Sequence, residues 1–337
     1  MTCAPELDQE NDEMTNQPRR RVLVLGATGM LGSTFFRAFS ADPGVETWGT
    51  IRDAAGARHF VPALSERLIA NVPVEGETGL LAAFDRARPD VVINCVGIIK
   101  QRPNANDHLE SLAINSSLPH RLAKYCGMTG TRLVHFSTDC VFSGKKGGYT
   151  EEDFSDAYDL YGRTKFLGEV YYENSITLRT SIIGHELSSA KSLVDWFLSQ
   201  SGVVKGFSKA IFSGLPTIEV TRIVREFVIP NAELRGLYHL SVDPINKYDL
   251  LRLVADTYAK EITIMPDEQL IIDRSLNSDR FRAATGFTPK PWPELIKAMH
   301  NEYLANAATS AGFRSHLRAN CATGSAAVPA APGVTIS

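Results

Sequence analysis

Val22-Leu23-Val24-Leu25-Gly26-Ala27-Thr28-Gly29-Met30-Leu31-Gly32 is the stretch on which the reading of this 337-residue chain turns. Four consecutive apolar residues fit a strand buried on both faces, a property of parallel sheets. Residues 31–40 then read as a helix. Between strand and helix, Gly26, Gly29 and Gly32 permit a tight turn, close backbone approach to a ligand and close helix packing. The start of the helix supplies unpaired N–H groups and the positive end of its dipole. Glycine spacing alone is a weak signal. Its placement at the start of the globular body, between a strand and a helix, makes it a seat for a dinucleotide pyrophosphate, with Thr28, Met30 and Leu31 in the same turn.

Outward from this stretch, short apolar runs alternate with helical patterns. Strands are expected at 45–51, 68–69, 90–94, 132–137 and 176–179, and helices at 80–87, 109–125 and 160–172. Pro119 is expected to kink the second of these helices. Alternation of this kind specifies an α/β fold, a Rossmann-type doubly wound parallel sheet. After residue 184 the pattern is irregular, with helices near 190–201, 219–229, 247–260 and 292–304, as in a smaller C-terminal lobe. The expected organisation is a disordered leader at 1–19, a dinucleotide-binding domain at 20–184 whose sheet later segments complete, a substrate-binding lobe at 185–305, and a disordered tail at 306–337.

Composition excludes several classes. Apolar residues make up 44% and charged residues 22%, the proportions of an ordinary globular protein. A net charge of −3 gives no electrostatic reason to expect nucleic acid or an anionic membrane. No apolar run approaches the roughly 20 residues that span a bilayer. The acidic start (Glu6, Asp8, Glu10, Asp12, Glu13) lacks the apolar core of a signal peptide. Cys3, Cys95, Cys126, Cys140 and Cys321 are scattered without a CxxC pair, so they read as reduced thiols and no metal is expected. The expectation is a soluble cytoplasmic protein, with a homodimer the one assembly left open.

Cofactor choice falls at the end of the second strand, in Thr50-Ile51-Arg52-Asp53. An acid there accepts the ribose hydroxyls of NAD, whereas Arg52 can pair with a 2′-phosphate and Thr50 can donate to it. Asp53 is the conflicting residue. Arg52 and Thr50 favour NADPH, with NADH as the alternative.

Tyr161 and Lys165 are four residues apart at the start of a helix and share a face. A phenol titrates near 10, and a cation beside it would bring it toward the working range, where it could exchange a proton with a carbinol oxygen. YxxxK alone is common by chance. Thr138, at the end of the fifth strand, adds a hydroxyl on the carboxyl edge where open α/β sheets bind ligands.

Glycine turn, strand-end threonine and YxxxK helix, in this order, resemble the extended short-chain dehydrogenase/reductase family. The resemblance implies that Thr138, Tyr161 and Lys165 are catalytic and that Asn94, Val96 and Gly97 line the cofactor. Asn115 resembles the family asparagine that holds a proton-relay water; a helix-packing asparagine is the equal alternative. Within the family, the chain is similar to the dTDP-4-dehydrorhamnose reductases. The shared stretches are His135 to Phe142, Gly168-Glu169, Leu178 to Ser181, Gly214 to Thr217, Gly236 to Leu240 and Arg274 to Asn277. That likeness implies NAD(P)H-dependent reduction of a nucleotide-linked 4-keto-6-deoxy sugar for surface-polysaccharide precursors. It places Phe212, Gly214, Pro216 and Thr217 near the substrate, and Asp139 is read as substrate-binding with them. Arg274 and Arg280 read either as partners of the sugar nucleotide's diphosphate or as solvated surface arginines.

Two positions depart from the pattern. Ile182-Ile183 stands where these reductases usually carry a tryptophan, and the segment 98–103 also differs from the usual run. Cys140 replaces the glutamate that dehydratases use as a base, which argues against dehydration. An epimerase remains an alternative, and a non-catalytic dinucleotide-binding regulatory subunit is the alternative from another class. His185 and Glu186 read as loop caps or as neighbours of the nicotinamide ribose.

Overall fold

The computed structural model describes residues 19–100 and 106–309. Residues 1–18 of the expected leader, 310–337 of the expected tail, and 101–105 lie outside the described residues. The sheet begins with β1 (Arg20–Leu25), β2 (Val45–Thr50), β3 (Leu68–Ile69), β4 (Val91–Asn94), β5 (Arg132–Thr138) and β6 (Ser175–Thr180). The shorter strands β7 (Ile182–Ile183), β8 (Val203–Phe207), β9 (Ala210–Phe212) and β10 (Leu215–Pro216) follow. β11 (Gly236–His239), β12 (Ile245–Asn246), β13 (Thr263–Asp267) and β14 (Ile272–Asp273) complete the set.

Seven strands form the main sheet in the order β11-β6-β5-β4-β1-β2-β3, and every pairing is parallel. The order reverses between β1 and β4, which makes that crevice the switch point where such sheets bind ligands. Alternate residues of β1 serve opposite faces. Val22 and Val24 pack with Phe35, Phe136 and Leu178, while Leu23 and Leu25 pack with Leu80, Val92 and Leu122. Each fully buried side chain of this size contributes about 1.5–3 kcal/mol. Burial on both faces explains why the run is continuously apolar.

The core on the first face also takes Phe197, Val220, Leu250 and Leu295, so chain from both sides of residue 184 shares it. The expected helices at the C-terminal side are found at Leu193–Ser199, Thr217–Ile223, Lys247–Thr257 and Trp292–Thr309. The last helix corrects the tail boundary, because residues 306–309 are helical. Three features escaped the sequence pattern: β11, the helix Asp279–Thr285, and three small sheets. In those, β7 pairs with β10, β8 with β13, and β9 lies between β12 and β14.

Two helices differ from expectation for steric reasons. Pro119 follows a π-helical segment, Leu112–Ser117, in which a wider turn absorbs the missing N–H and the ring. The helix expected at 160–172 is Leu160–Leu167. It stops at Gly168, where a Cβ would lie 1.9 Å from the carbonyl oxygen of Asn115.

Candidate active site

The glycine turn is built by backbone contacts that leave no space for side chains. Gly26 has φ +78°, a left-handed conformation that glycine adopts without strain, and a Cβ there would lie 3.0 Å from Val96. Gly32 is tighter still: its Cβ would fall 2.1 Å from the carbonyl oxygen of Gly26. Helix Met30–Ser40 therefore starts directly against the end of β1, with Gly29 as N-cap and no side chain covering it. The first-turn N–H groups of Met30, Leu31 and Gly32 face outward at the switch point. On the other flank Asn94 turns inward. It accepts from Val96 N–H at 3.1 Å and contacts His135 at 3.1 Å, which fixes the Asn94 to Gly97 turn beside Gly26. Residues at both flanks fit a dinucleotide.

At the end of β2 the structure reassigns one residue and settles another. Thr50 is buried, and its hydroxyl accepts from Gly26 N–H at 3.1 Å. It braces the glycine turn instead of reaching a ribose phosphate. Asp53 caps the short helix Ala54–His59 by accepting from Ala55 N–H at 2.7 Å. Arg52 is exposed and lies 3.8 Å from Glu75, an exposed pair worth about 0–1 kcal/mol. The acid is committed to a cap and the arginine is available.

Tyr161 and Lys165 lie on helix Leu160–Leu167, which Asp159 caps by accepting from Gly162 N–H at 2.8 Å. Gly162 lets the helix press on the turn Asp139–Val141, since a Cβ there would lie 2.3 Å from the carbonyl oxygen of Cys140. That turn carries Thr138 as its N-cap, accepting from Cys140 N–H at 3.1 Å. Thr138 donates to Asp139 at 3.0 Å and lies close enough to the Tyr161 phenol to influence it. Thr138, Tyr161 and Lys165 thus converge at the carboxyl edge of β5.

The electrostatics of the pair depart from the simple expectation. Burial, together with Cys140, Asp139 and Asp159, holds the Tyr161 phenol above its ordinary value, against the opposing influence of the neighbouring Thr138 hydroxyl. The Lys165 ammonium donates to the carbonyl oxygen of Phe136 at 2.6 Å, which holds it against β5. Burial brings Lys165 down to about 8, opposed by the charge of Glu169. Glu169 is itself buried and gripped bidentately by Arg179, at 2.6 and 2.7 Å. Arg179 also meets His239 of β11, which ties the end of the catalytic helix across β6 to the sheet edge. This explains why Gly168-Glu169, Leu178 to Ser181 and Gly236 to Leu240 occur together.

The residues read as substrate-binding separate into two groups. Asp139, Phe212 and Arg274 line one small, open cleft with Ile211, Ile272 and Lys247. The small sheet assembles it: Phe212 ends β9, Lys247 follows β12 and Arg274 follows β14. Gly214, Pro216 and Thr217 serve packing instead. A Cβ on Gly214 would lie 2.1 Å from the carbonyl oxygen of Ser181, Pro216 belongs to β10, and Thr217 bonds Thr34 at 3.1 Å. Arg280 pairs with Glu151 and Glu152 on the surface. Ile182, in place of the tryptophan, belongs to β7.

Three further candidates make structural contacts. Asn115 is buried, accepts from Ile98 N–H at 2.9 Å and donates to Ile98 O and Thr164 Oγ1. It clamps the loop after β4 to the catalytic helix. His185 lies between Asp195 at 2.5 Å and Tyr258 at 2.8 Å, and Glu186 accepts from the loop 189–192. Sequence reasoning missed Lys247, and it reached Lys100 only as part of the segment 98–103 expected to shape the sugar pocket; the Lys100 ammonium lies 5.5 Å from the Tyr161 ring centre and 2.9 Å from Asp159. Lys247 had one readable signal, a cation in the first turn of a helix, where the dipole disfavours it. Among the described residues no group of three or more His, Cys, Asp or Glu is placed to hold a metal, and no helix is long and apolar enough to cross a membrane.

A doubly wound sheet with a glycine turn at its switch point and a Thr-Tyr-Lys set at the end of β5 defines a dinucleotide-binding fold. Residues 20–305 match the family described as RmlD substrate binding domain, and the chain belongs to that family. The chain is 28% identical over 273 residues to "Methionine adenosyltransferase 2 subunit beta" of Mus musculus, covering 73% of this chain and 75% of that protein. It is 30% identical over 157 residues to "dTDP-4-dehydrorhamnose reductase" of Streptomyces griseus, covering 46% of each. Its fold matches the crystal structure of dTDP-4-dehydrorhamnose reductase from Bacillus anthracis in complex with NADP. That likeness has a TM-score of 0.71 at 18% identity and covers 86% of this chain and 100% of that one.

Proposed function

We propose that the protein is an NAD(P)H-dependent reductase of a nucleotide-linked 4-keto-6-deoxy sugar. One observation carries this reading: Thr138, Tyr161 and Lys165 converge at the carboxyl edge of β5, two strands along the sheet from the glycine turn, with Asp139 leading from them into a cleft. A bound dihydronicotinamide supplies hydride. Tyr161 gives its proton to the carbonyl oxygen, Thr138 orients that oxygen and the phenol, and Lys165 supplies the nearby positive charge that stabilises the phenolate. The commitment of Asp53 to its cap and the exposure of Arg52 support NADPH over NADH.

The structural role of Cys140 supports reduction over dehydration. Its thiol is fully buried, burial pushes it up to about 12, and Arg274 faces it at 3.7 Å. A carboxylate base is lacking at that position. A homodimer is supported by Leu109, Leu112 and Leu167, exposed on two helices that pack together. The composition and the lack of an apolar spanning run support a cytoplasmic location.

The likeness to the mouse subunit favours a second reading, a non-catalytic partner of another enzyme. The test is NADPH oxidation with dTDP-, UDP- and GDP-linked 4-keto-6-deoxy sugars. Stoichiometric oxidation with one of them supports the reductase. Interconversion of two sugars without net oxidation identifies an epimerase, and neither reaction leaves the regulatory subunit.

A further inference from the structure

Lys247 takes no part in the chemistry above, and its surroundings oppose a positive charge in three ways. It is 5% exposed, yet among the described residues its ammonium has neither a hydrogen-bond acceptor nor an ion-pair partner. It begins helix Lys247–Thr257, whose positive end disfavours a cation by about 0.3–1 kcal/mol. Arg274, a second buried cation, shares the cleft. Buried lysines are ordinarily paired. Attraction comes from the ring of Phe212, whose centre lies 4.6 Å from the ammonium, and from the charge of Asp139.

All three penalties reverse sign when an anion enters. An anion gives Lys247 its missing partner, is attracted by the helix end, and separates the two cations. Among the described residues Asp139 is the one carboxylate lining the cleft, so two cations against one anion leave a net positive charge there. The guanidinium of Arg274 is held by Phe142 O at 2.9 Å through Nε, so its position is fixed before any ligand arrives.

We propose that Lys247, Arg274 and the amino end of helix Lys247–Thr257 form a seat for a phosphoryl group, the diphosphate of a nucleotide-linked substrate. The attached sugar then extends past Asp139 to Thr138 and Tyr161. The seat rests on the reading of the cleft as a nucleotide-sugar site, but it is measured by binding without turnover, so the two fail separately.

The full chain is titrated calorimetrically with inorganic pyrophosphate, UDP and glucuronate. Pyrophosphate and UDP bind, and glucuronate does not. Lys247→Met weakens both by at least about tenfold. Lys247→Arg, which keeps the charge, retains most of the affinity, and Lys209→Met outside the cleft changes nothing. Unaltered thermal unfolding of each variant excludes a folding defect; a variant that fails this check is replaced by Lys247→Gln. Lys247→Met binding UDP as tightly as the parent chain overturns the seat, as does glucuronate binding in preference. UDP binding through Lys247 without NADPH oxidation on any keto sugar keeps the seat and removes the reductase.

Discussion

The cofactor side and the substrate side of this molecule are built by opposite means. The dinucleotide turn is made of backbone, with Gly26 and Gly32 shaped by what a Cβ would strike, and it spans seven consecutive residues. The substrate cleft is made of side chains drawn from separate elements: Asp139 after β5, Phe212 on β9, Lys247 after β12 and Arg274 after β14. A backbone seat recognises what every dinucleotide shares. A side-chain cleft assembled over 135 positions of sequence can change one residue at a time, which suits it to discriminate among sugars.

The contrast can be broken most sharply where the two sides meet. Tyr161→Phe removes the proton donor and lowers turnover by about 10²–10⁴-fold, while NADPH binding, read by fluorescence titration, stays nearly unchanged. Full activity in that variant ends its assigned role. Arg52→Ala tests whether the cofactor side holds any side-chain specificity. Loss of a charge-assisted contact should weaken NADPH by about 10–100-fold and leave NADH unaffected, as dissociation constants for the two will show. Equal losses for both coenzymes would mean that Arg52 does not read the 2′-phosphate.

Smaller effects sharpen the comparison. Gly162→Ala puts a Cβ against the carbonyl oxygen of Cys140, so the helix must retreat from the Asp139–Val141 turn. Overpacking of this kind costs about 1–3 kcal/mol, visible in urea unfolding, and turnover falls because Tyr161 moves with the helix. The gentlest probe is pH. Burial first, then the neighbouring charge of Arg179, brings His239 down from 6.5 to about 3. Below pH 6.5 the unfolded chain binds a proton that the folded one refuses, so stability falls as the pH drops from 6.5 toward 3. His239→Gln should flatten that part of the stability curve.

Much of the fold was readable because parallel strands buried on both faces carry continuous apolar runs. β1 through β6 were expected within a residue or two of where they lie. β11 was not, because Gly236-Leu237-Tyr238-His239 lies at the sheet edge, half-buried and without such a run. The strands of β9, β12 and β14 have two or three residues each, too few to show a period. At the site, Tyr161, Lys165 and Thr138 were legible from order and spacing. Thr50 was misread because its strand-end position did not reveal that its side chain points back toward Gly26. Lys247 was hidden by an ordinary amphipathic pattern, and only the three-strand sheet shows it beside Arg274.

The shared core has a consequence for how the chain is made. Phe35, Phe136 and Leu178 leave the ribosome early, but their covering residues, from Phe197 to Met299, come much later. At ordinary synthesis rates the wait for roughly a hundred further residues is on the order of ten seconds. During that interval one face of the strands β1 to β6 is bare and apolar, a surface that chaperones and other nascent chains recognise. The core around β1 closes only after helix Trp292–Thr309, which supplies Leu295, Ile296 and Met299 to it, has been made.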